Sequence, residues 1–229
     1  MPAATDSTAT TTAATELWNH GTLQDLVGNG EVFPVLNERL YFNHAGISPI
    51  AKPVGDAVRD FLHHFERHAF VGFDFPHPIE RLRRTFASVI GASPDEIALL
   101  HNTGEAISQV AFGLDWQPGD RIVTTGAEYP ANLYPWMAVR DRFGVELVQV
   151  PEEITTGGRA VVSHEALLAE IAKPGTKLLA VSHVQWGSGQ RMDLERLGRA
   201  CREHGVLFSV DAIQSVGVLP IDVEASHID

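Results

Sequence analysis

Asp211 carries the sharpest chemical signal in this sequence, because it directly follows an apolar run, Val206–Val210. A carboxylate at the end of a buried strand is unfavourable unless a cationic or hydrogen-bonding group meets it. One such group is the protonated ring nitrogen of a bound heterocycle, since a nearby negative charge favours the charged form of that nitrogen. The alternative is a structural aspartate that caps the next turn.

A polar turn with Thr103, Gly104 and Glu105 follows another β-rich run, Glu96–Leu100, and opens a helix. Free backbone N–H groups at a helix N-terminus, together with the Thr103 hydroxyl, can bind a phosphate group. Taken alone, the turn is equally well explained as an ordinary helix N-cap.

Two aromatic residues follow further predicted strands. Tyr129 comes after Arg121–Thr125, and Trp186 lies in a glycine-containing loop after Leu178–Val184. A flat ring in such a position can stack on a planar cofactor, and the loop has room for a ligand. The alternatives are a tyrosine packed in the core or exposed on a loop, and a tryptophan that covers the surface.

The elements that would position these residues are short strands alternating with helices. We predict strands at Glu96–Leu100, Arg121–Thr125, Val145–Val150, Leu178–Val184 and Val206–Val210, and helices at Val54–His68, Arg81–Ile90, Glu105–Leu114, Ala131–Phe143, His164–Ala172 and Leu194–His204. This alternation predicts an α/β fold with a mostly parallel sheet, in which ligands bind beyond the carboxyl ends of the strands. We expect a disordered tail over residues 1–16, an N-terminal helical segment over 17–95 and a ligand-binding domain over 96–229.

Composition narrows the class of function. The chain has 229 residues, 44% of them apolar, and a formal net charge of −12, which argues against nucleic acid or an anionic membrane as partner. The longest apolar runs are too short to cross a membrane, and a single cysteine, Cys201, excludes an internal disulfide. We therefore expect a cytoplasmic protein with a small-molecule site. His64 and His68 lie four residues apart on a helix, as metal ligands often do, but without further ligands we interpret them as solvated and expect no metal site.

Five motifs in order resemble those of the class V aminotransferases, a fold-type I family that depends on pyridoxal 5'-phosphate (PLP) and includes cysteine desulfurases and isopenicillin-N epimerase-like proteins. The motifs are YFNHAG, HNTGEAI, GDRIVTTGAEYPANLYPW, VSHVQWGSGQRMDL and HGVLFSVDAIQSVGVLPIDV, between Tyr41 and Asp229. The resemblance implies the three-layer αβα large domain of a fold-type I PLP-dependent transferase, truncated before its small C-terminal domain. A Rossmann dehydrogenase is disfavoured because no G-x-G-x-x-G follows the first predicted strand.

The resemblance also implies a role for each matching residue. The cofactor phosphate would be bound at Thr103, Gly104 and Glu105. Tyr129 would stack on the pyridine ring, and Asp211 would pair with its nitrogen. Further positions would hold the phenolic oxygen (Gln214), contribute to the cofactor site (His183) or border the substrate pocket (Asn43, His44, Ala45 and Trp186).

Some features depart from the pattern. Cysteine desulfurases usually have histidine at the position of Tyr129, and many have asparagine at that of Trp186, which weakens a desulfurase assignment. Cys201 does not restore it, because we expect this thiol to be buried and inert.

The lysine that forms the Schiff base would follow Asp211 by roughly 25 residues, and Lys52, Lys173 and Lys177 do not match its context. The resemblance therefore implies a parent enzyme that acts on an amino acid by transamination, elimination or desulfuration, or epimerisation. We expect the parent to be a homodimer and the 229 residues alone to be inactive. The alternative is a non-catalytic binding or regulatory module with the same fold.

Overall fold

The computed structural model describes residues 23–74 and 76–229, which form two compact units divided between Phe73 and Asp74. The first unit contains two short 3-10 helices, Leu23–Leu26 and Pro34–Asn37, and the long helix α1, Lys52–His68. The tail expected over residues 1–16 lies outside the described residues. Within the described ranges, no helix is both long and apolar enough to cross a bilayer.

The second unit is built from five α-helices and six strands. In chain order its regular elements are α2 Pro76–Ile90, α3 Thr103–Gly113, β1 Arg121–Thr125, α4 Tyr134–Phe143, β2 Glu146–Val150, β3 Glu152–Ile154, β4 Ala160–Val162, α5 His164–Ile171, β5 Thr176–Ser182, α6 Leu194–His204 and β6 Leu207–Asp211. Short 3-10 turns occur at Pro94–Glu96 and Pro130–Asn132.

Four strands form a parallel sheet in the order β2-β1-β5-β6. The predicted parallel α/β architecture is confirmed. The strand predicted at Glu96–Leu100 is wrong: residues 94–96 form a 3-10 turn, and residues 97–100 have no strand neighbour in the described part of the chain. An apolar run becomes a strand only where another strand supplies its ladder of hydrogen bonds.

Alternate residues of the central strands pack on opposite faces of the sheet. Val123 of β1 and Leu179 of β5 belong to a core shared with α5 and α6. Ile122 and Leu178 belong to a second core, which is shared with α3 and α4. Both faces are therefore covered by helices, which makes three αβα layers and explains why these strands are nearly continuous apolar runs.

The helix ends follow local capping signals. Asp193 Oδ1 accepts a hydrogen bond from the backbone N–H of Arg196, and Gly205 ends α6 in the left-handed region. Helix α6 therefore has its predicted bounds. The helix predicted over Ala131–Phe143 is instead a 3-10 turn followed by α4, with Pro135 in the first turn of α4.

An ion cluster lies at the amino end of the sheet, opposite the carboxyl ends of the strands. Arg121, which is 7% exposed, pairs with Glu146 at 2.9 Å and with Glu170 at 2.6 Å, and it donates to the Thr176 hydroxyl. Lys173 reaches Glu170 from the solvent side at 2.6 Å. The Arg121 contacts join β1 to β2, to α5 and to the start of β5, so their role is structural.

The antiparallel hairpin β3–β4 was not predicted. It joins β2 to α5, and its tip includes Gly158 in the left-handed region. Gln190, in the loop after β5, holds the hairpin: its Oε1 accepts from the backbone N–H of Val162 at 2.6 Å, and its Nε2 donates to the Val162 carbonyl at 2.8 Å.

In the first unit, the expectation that both helix histidines are solvated is wrong for His64. Its ring lies 5.7 Å from that of Phe65 and 5.4 Å from that of Phe73. Its Nε2 is buried without a hydrogen-bond partner among the described residues. His64 therefore packs in an aromatic cluster, whereas His68 is exposed.

Candidate functional site

The order of the strands places a crevice between β1 and β5. From β1 the chain returns through α4 to β2 on one side, and from β5 it returns through α6 to β6 on the other. Because α4 and α6 cover opposite faces, the connections after β1 and β5 diverge at the carboxyl end of the sheet. Such a switch point is where open α/β sheets bind ligands.

Asp211 ends β6 at this edge. It is 8% exposed, and its Oδ1 accepts a hydrogen bond from the backbone N–H of Ile213 at 2.9 Å. Burial raises the pKa of Asp211 above its ordinary value; the Ile213 bond opposes this shift, and the charge of Glu128 adds to it. A cation beside Asp211 would remove this penalty, so the site favours a positively charged ligand group.

The N-terminus of α3 supplies a second binding feature. Asn102 is the N-cap, and its Oδ1 accepts from the backbone N–H of Glu105 at 2.8 Å. The Glu105 carboxylate accepts from the backbone N–H of His101 and contacts that ring at 2.8 Å. The backbone N–H and the carboxylate of Glu105 are therefore both used in capping the helix. The backbone N–H groups of Thr103 and Gly104 remain as the anion-binding part of the turn.

One cavity of about 600 Å³ joins these two features. Its lining includes Asp211 at the end of β6 together with Asn102 and Thr103 at the start of α3. Most of the other lining side chains are apolar, such as Phe86 and Val210. A buried acid and a helix N-terminus thus share one largely apolar space, whose volume lies in the range of small-molecule sites.

His183 and Ser215 fix the turn after β6. His183 is 1% exposed, its Nδ1 lies 2.9 Å from the Ser215 hydroxyl, and its backbone N–H donates to the Asp211 carbonyl at 2.9 Å. Burial lowers the pKa of His183, and the charge of Arg191 lowers it further. Gln214 is half-buried in the turn between Asp211 and Ser215, so His183 clamps the segment that carries both predicted cofactor residues.

Tyr129 and Trp186 form an exposed aromatic pair across the crevice. Their ring centroids lie 5.7 Å apart with the planes at 80°, and about half of each side chain is exposed. They do not line the 600 Å³ cavity. The structure thus brings together the two aromatic residues that were predicted from separate loops.

Glu128, which lies buried beside Tyr129, was not predicted from the sequence. Its carboxylate accepts five hydrogen bonds, from the Thr125 hydroxyl, the Asn132 amide, the Ser182 backbone N–H, the Ser182 hydroxyl and the Gln185 amide. Two of these donor residues lie 54 and 57 positions away in the sequence. Glu128 therefore ties the loop after β1 to the end of β5 and to the loop that follows it.

Comparison with known proteins decides the family. The family model described as aminotransferase class V matches residues 40–229. The chain belongs to the class V aminotransferase family.

Relatives of this class V chain include a probable cysteine desulfurase of Pyrococcus abyssi, 32% identical over 86% of this chain and 49% of the relative. A solved cysteine desulfurase from Thermococcus onnurineus is 30% identical, with a TM-score of 0.75, over 87% of this chain and 50% of that one. The cystine C–S lyase C-DES was solved with its product cysteine persulfide (28% identity, TM-score 0.74) and with glycine covalently linked to its PLP cofactor (27%, 0.75). Those matches cover 86% and 88% of this chain and 53% and 54% of the lyase. The chain spans about half the length of the curated relatives it matches.

The remaining predicted residues of the class V chain lie in the first unit, where Asn43, His44 and Ala45 form an exposed turn. The Tyr41 hydroxyl lies 3.1 Å from the Asn43 carbonyl and also contacts the Ile47 carbonyl. The Tyr41 and His44 rings meet edge-on at 5.3 Å. The turn is thus held by its own contacts, and its place at a substrate pocket stays a prediction.

Cys201 of the class V chain is buried in the core beneath α6. Burial raises the pKa of its thiol to about 12, with a further contribution from the charge of Asp229. The expectation of a buried thiol is confirmed. Its inertness stays a prediction, which follows because a thiol with this pKa remains protonated near neutral pH.

Proposed function

We propose that the protein binds PLP at the carboxyl edge of its parallel sheet and, as the full-length protein, acts on an amino acid. The observation that carries the proposal is the shared cavity of Asp211 and the N-terminus of α3. These two features of the cavity match the two ionic groups of PLP, a ring nitrogen that can be protonated and a phosphate. The residues present therefore fit this cofactor.

Each residue has a distinct proposed role in holding the cofactor. Asp211 keeps a proton on the ring nitrogen, and the backbone at Thr103 and Gly104 binds the phosphate. Tyr129 and Gln214 do not line that cavity; the family resemblance assigns them to one face of the ring and to its phenolic oxygen. His183 positions the segment that carries Asp211. When bound with its ring nitrogen protonated, PLP acts as an electron sink for a carbanion at the α-carbon of an amino acid.

We propose cleavage of a C–S bond, by elimination or desulfuration, as the reaction. The support comes from relatives described as cysteine desulfurases and from a neighbour that is a cystine C–S lyase. Trp186 is proposed to border the substrate pocket. The cofactor lysine is proposed to lie outside the 229 residues. Lys173 and Lys177 sit at the amino end of the sheet, paired with Glu170 and Asp120. Lys52, the remaining lysine of the sequence, begins α1 and pairs with Asp56.

We also propose that the full-length protein is a cytoplasmic homodimer. Helix α1 exposes Val54, Val58 and Leu62 along its length, an apolar surface that a second copy would cover. Light scattering of the full-length protein after gel filtration tests this proposal, and a monomer at micromolar concentration would refute it.

The deciding experiment is a visible absorption titration of the full-length protein with PLP, followed by L-cysteine, L-cystine and L-alanine. We expect a cofactor band in the visible region, and release of sulfide or persulfide from the sulfur amino acids. Asp211→Asn should weaken cofactor binding by about 10- to 100-fold, since a charged hydrogen bond contributes about 1.5–3 kcal/mol. A protein that gives no visible band and retains no cofactor after borohydride treatment would instead be a non-catalytic module.

A further inference from the structure

A second cavity of about 400 Å³ lies beside the aromatic pair. One wall is the hairpin, with Glu152, Arg159 and Ala160, and the other is the loop that carries Gln185 and Trp186. Ala127, next to Glu128, also lines the cavity. The cavity thus opens between the β3–β4 hairpin and the switch-point crevice.

Gln185 lines this cavity and carries a buried hydrogen-bond acceptor that no described residue satisfies. The residue is 1% exposed, and its Oε1 has no partner within the described residues. Its Nε2 donates to Glu128 Oε1 at 2.8 Å. Rotating the amide by 180° would place its oxygen against the carboxylate, so Glu128 fixes the orientation in which Oε1 remains open. A buried acceptor without a donor is unfavourable, and a ligand N–H would satisfy it.

The charges around the cavity add a second preference. The guanidinium of Arg159 makes no ion pair or hydrogen bond within the described residues and is available to a carboxylate. Trp186 supplies an apolar wall and contacts Tyr129 edge-on. A ligand group that combines an N–H donor with a neighbouring carboxylate matches both Gln185 and Arg159.

We propose that this cavity receives the far end of the amino-acid substrate and that Gln185 Oε1 accepts a hydrogen bond from an N–H donor at that end. The inference rests on the proposed function, because Trp186, which lines the cavity, contacts Tyr129, the residue proposed to cover the cofactor ring. Two chemical groups could supply this N–H, and they differ in whether they also engage Arg159. A side-chain amide engages Gln185 alone, whereas a second ammonium–carboxylate end also engages Arg159.

The test is calorimetric titration of the full-length holoenzyme after borohydride has reduced the bond between its lysine and PLP, so that no reaction follows binding. The probes are L-norleucine, whose side chain ends in a methyl group, L-glutamine, which ends in an amide, and L-cystathionine, which ends in a second ammonium–carboxylate pair. We expect glutamine to bind about tenfold more tightly than norleucine. Cystathionine should bind more tightly still.

Two variants separate the contributions. Gln185→Met, which keeps the length of the side chain, should abolish the preference for both N–H-bearing probes over norleucine. Arg159→Gln should lower only the advantage of cystathionine over glutamine. Ser182→Ala is the matched control: it removes another donor to Glu128, and Ser182 makes no hydrogen bond with Gln185 in the described part of the chain, so the preference should persist.

A wild-type protein with no preference, or a preference that survives Gln185→Met, would overturn the inference. Failure of the proposed function is separately visible as the absence of a cofactor band. In that case the same titration of the purified protein still decides, because the discrimination depends on Gln185.

Discussion

Ser182 and Asp211 are partners at the last paired position of β5 and β6. The Ser182 hydroxyl donates to Glu128 at 2.6 Å, so two acidic side chains, Glu128 and Asp211, lie near the same strand ends. Glu128 is enclosed by donors from three segments, whereas Asp211 faces a cavity. One carboxylate therefore organises the loops, and the other is left for a ligand.

The stability of the cofactor-free protein should depend on the protonation of Asp211. A raised pKa means that the folded state binds this proton more tightly than the unfolded chain does. The contribution of Asp211 is therefore most favourable below its ordinary pKa of 3.8 and is lost as the pH rises through the higher folded value. Asp211→Asn should stabilise the cofactor-free protein increasingly as the pH rises above about 4.

Denaturant unfolding of both proteins between acidic and neutral pH measures this difference. Asp222→Asn is a control from the same unit, because its carboxylate is exposed and caps a local turn. A difference between wild type and Asp211→Asn that stays flat with pH would contradict the prediction.

Replacing Glu128 should loosen the carboxyl edge of the sheet. Glu128→Gln places an NH₂ group where donors already converge, so several buried groups lose their acceptor. We expect a loss of roughly 2–4 kcal/mol in the free energy of unfolding. Hydrogen exchange should rise at Ser182, whose backbone N–H bonds to this carboxylate. Glu152→Gln, at an exposed hairpin position, is the control; equal stabilities for the two variants would argue against the network.

The ion cluster at the opposite end of the sheet should affect stability without affecting cofactor binding. Arg121→Met leaves Glu170 without its buried partner and should cost about 2–3 kcal/mol. Lys173→Met removes an exposed partner of the same Glu170 and should cost no more than about 1 kcal/mol. Both variants should keep the wild-type affinity for PLP, and a weakened affinity in either would show that this cluster supports the cofactor site.

Cys201 should not react with thiol reagents while the protein is folded. Its buried thiol has a pKa of about 12, so the reactive thiolate is scarce even at mildly alkaline pH. Labelling with a chromogenic disulfide should be slow in buffer and fast in guanidinium chloride. Cys201→Ala should leave any sulfur release unchanged, and a loss of sulfur release at intact cofactor content would give this thiol a catalytic role.

Local signals predicted much of the fold. Helix α6 was predicted at its observed bounds because Asp193 and Gly205 mark its two ends within the chain itself. Strand β5 runs from Thr176 to Ser182, two residues before the predicted Leu178–Val184, because its ends depend on the neighbouring strands and not on its own apolar run. The β3–β4 hairpin was missed because its first strand is exposed and lacks an apolar pattern.

The site was only partly predictable, because several of its contacts join residues that are far apart in the chain. Asp211 is recognisable from the strand before it, whereas Glu128 gains its role only through Ser182 and Gln185, far along the chain. Nor does the sequence show that Trp186 would meet Tyr129, because that contact depends on the adjacency of β1 and β5. Long-range pairing decides these contacts.

The Gln190 amide binds both backbone groups of Val162, much as a neighbouring strand would. The height of the hairpin above the 400 Å³ cavity is thus set by one side chain acting on backbone atoms, independently of the hairpin's own side chains. Substitutions along β3 and at the hairpin tip can therefore change the wall that the hairpin contributes to this cavity without breaking the Gln190–Val162 hydrogen bonds. Related proteins can thus differ in ligand preference there while the parallel sheet stays the same.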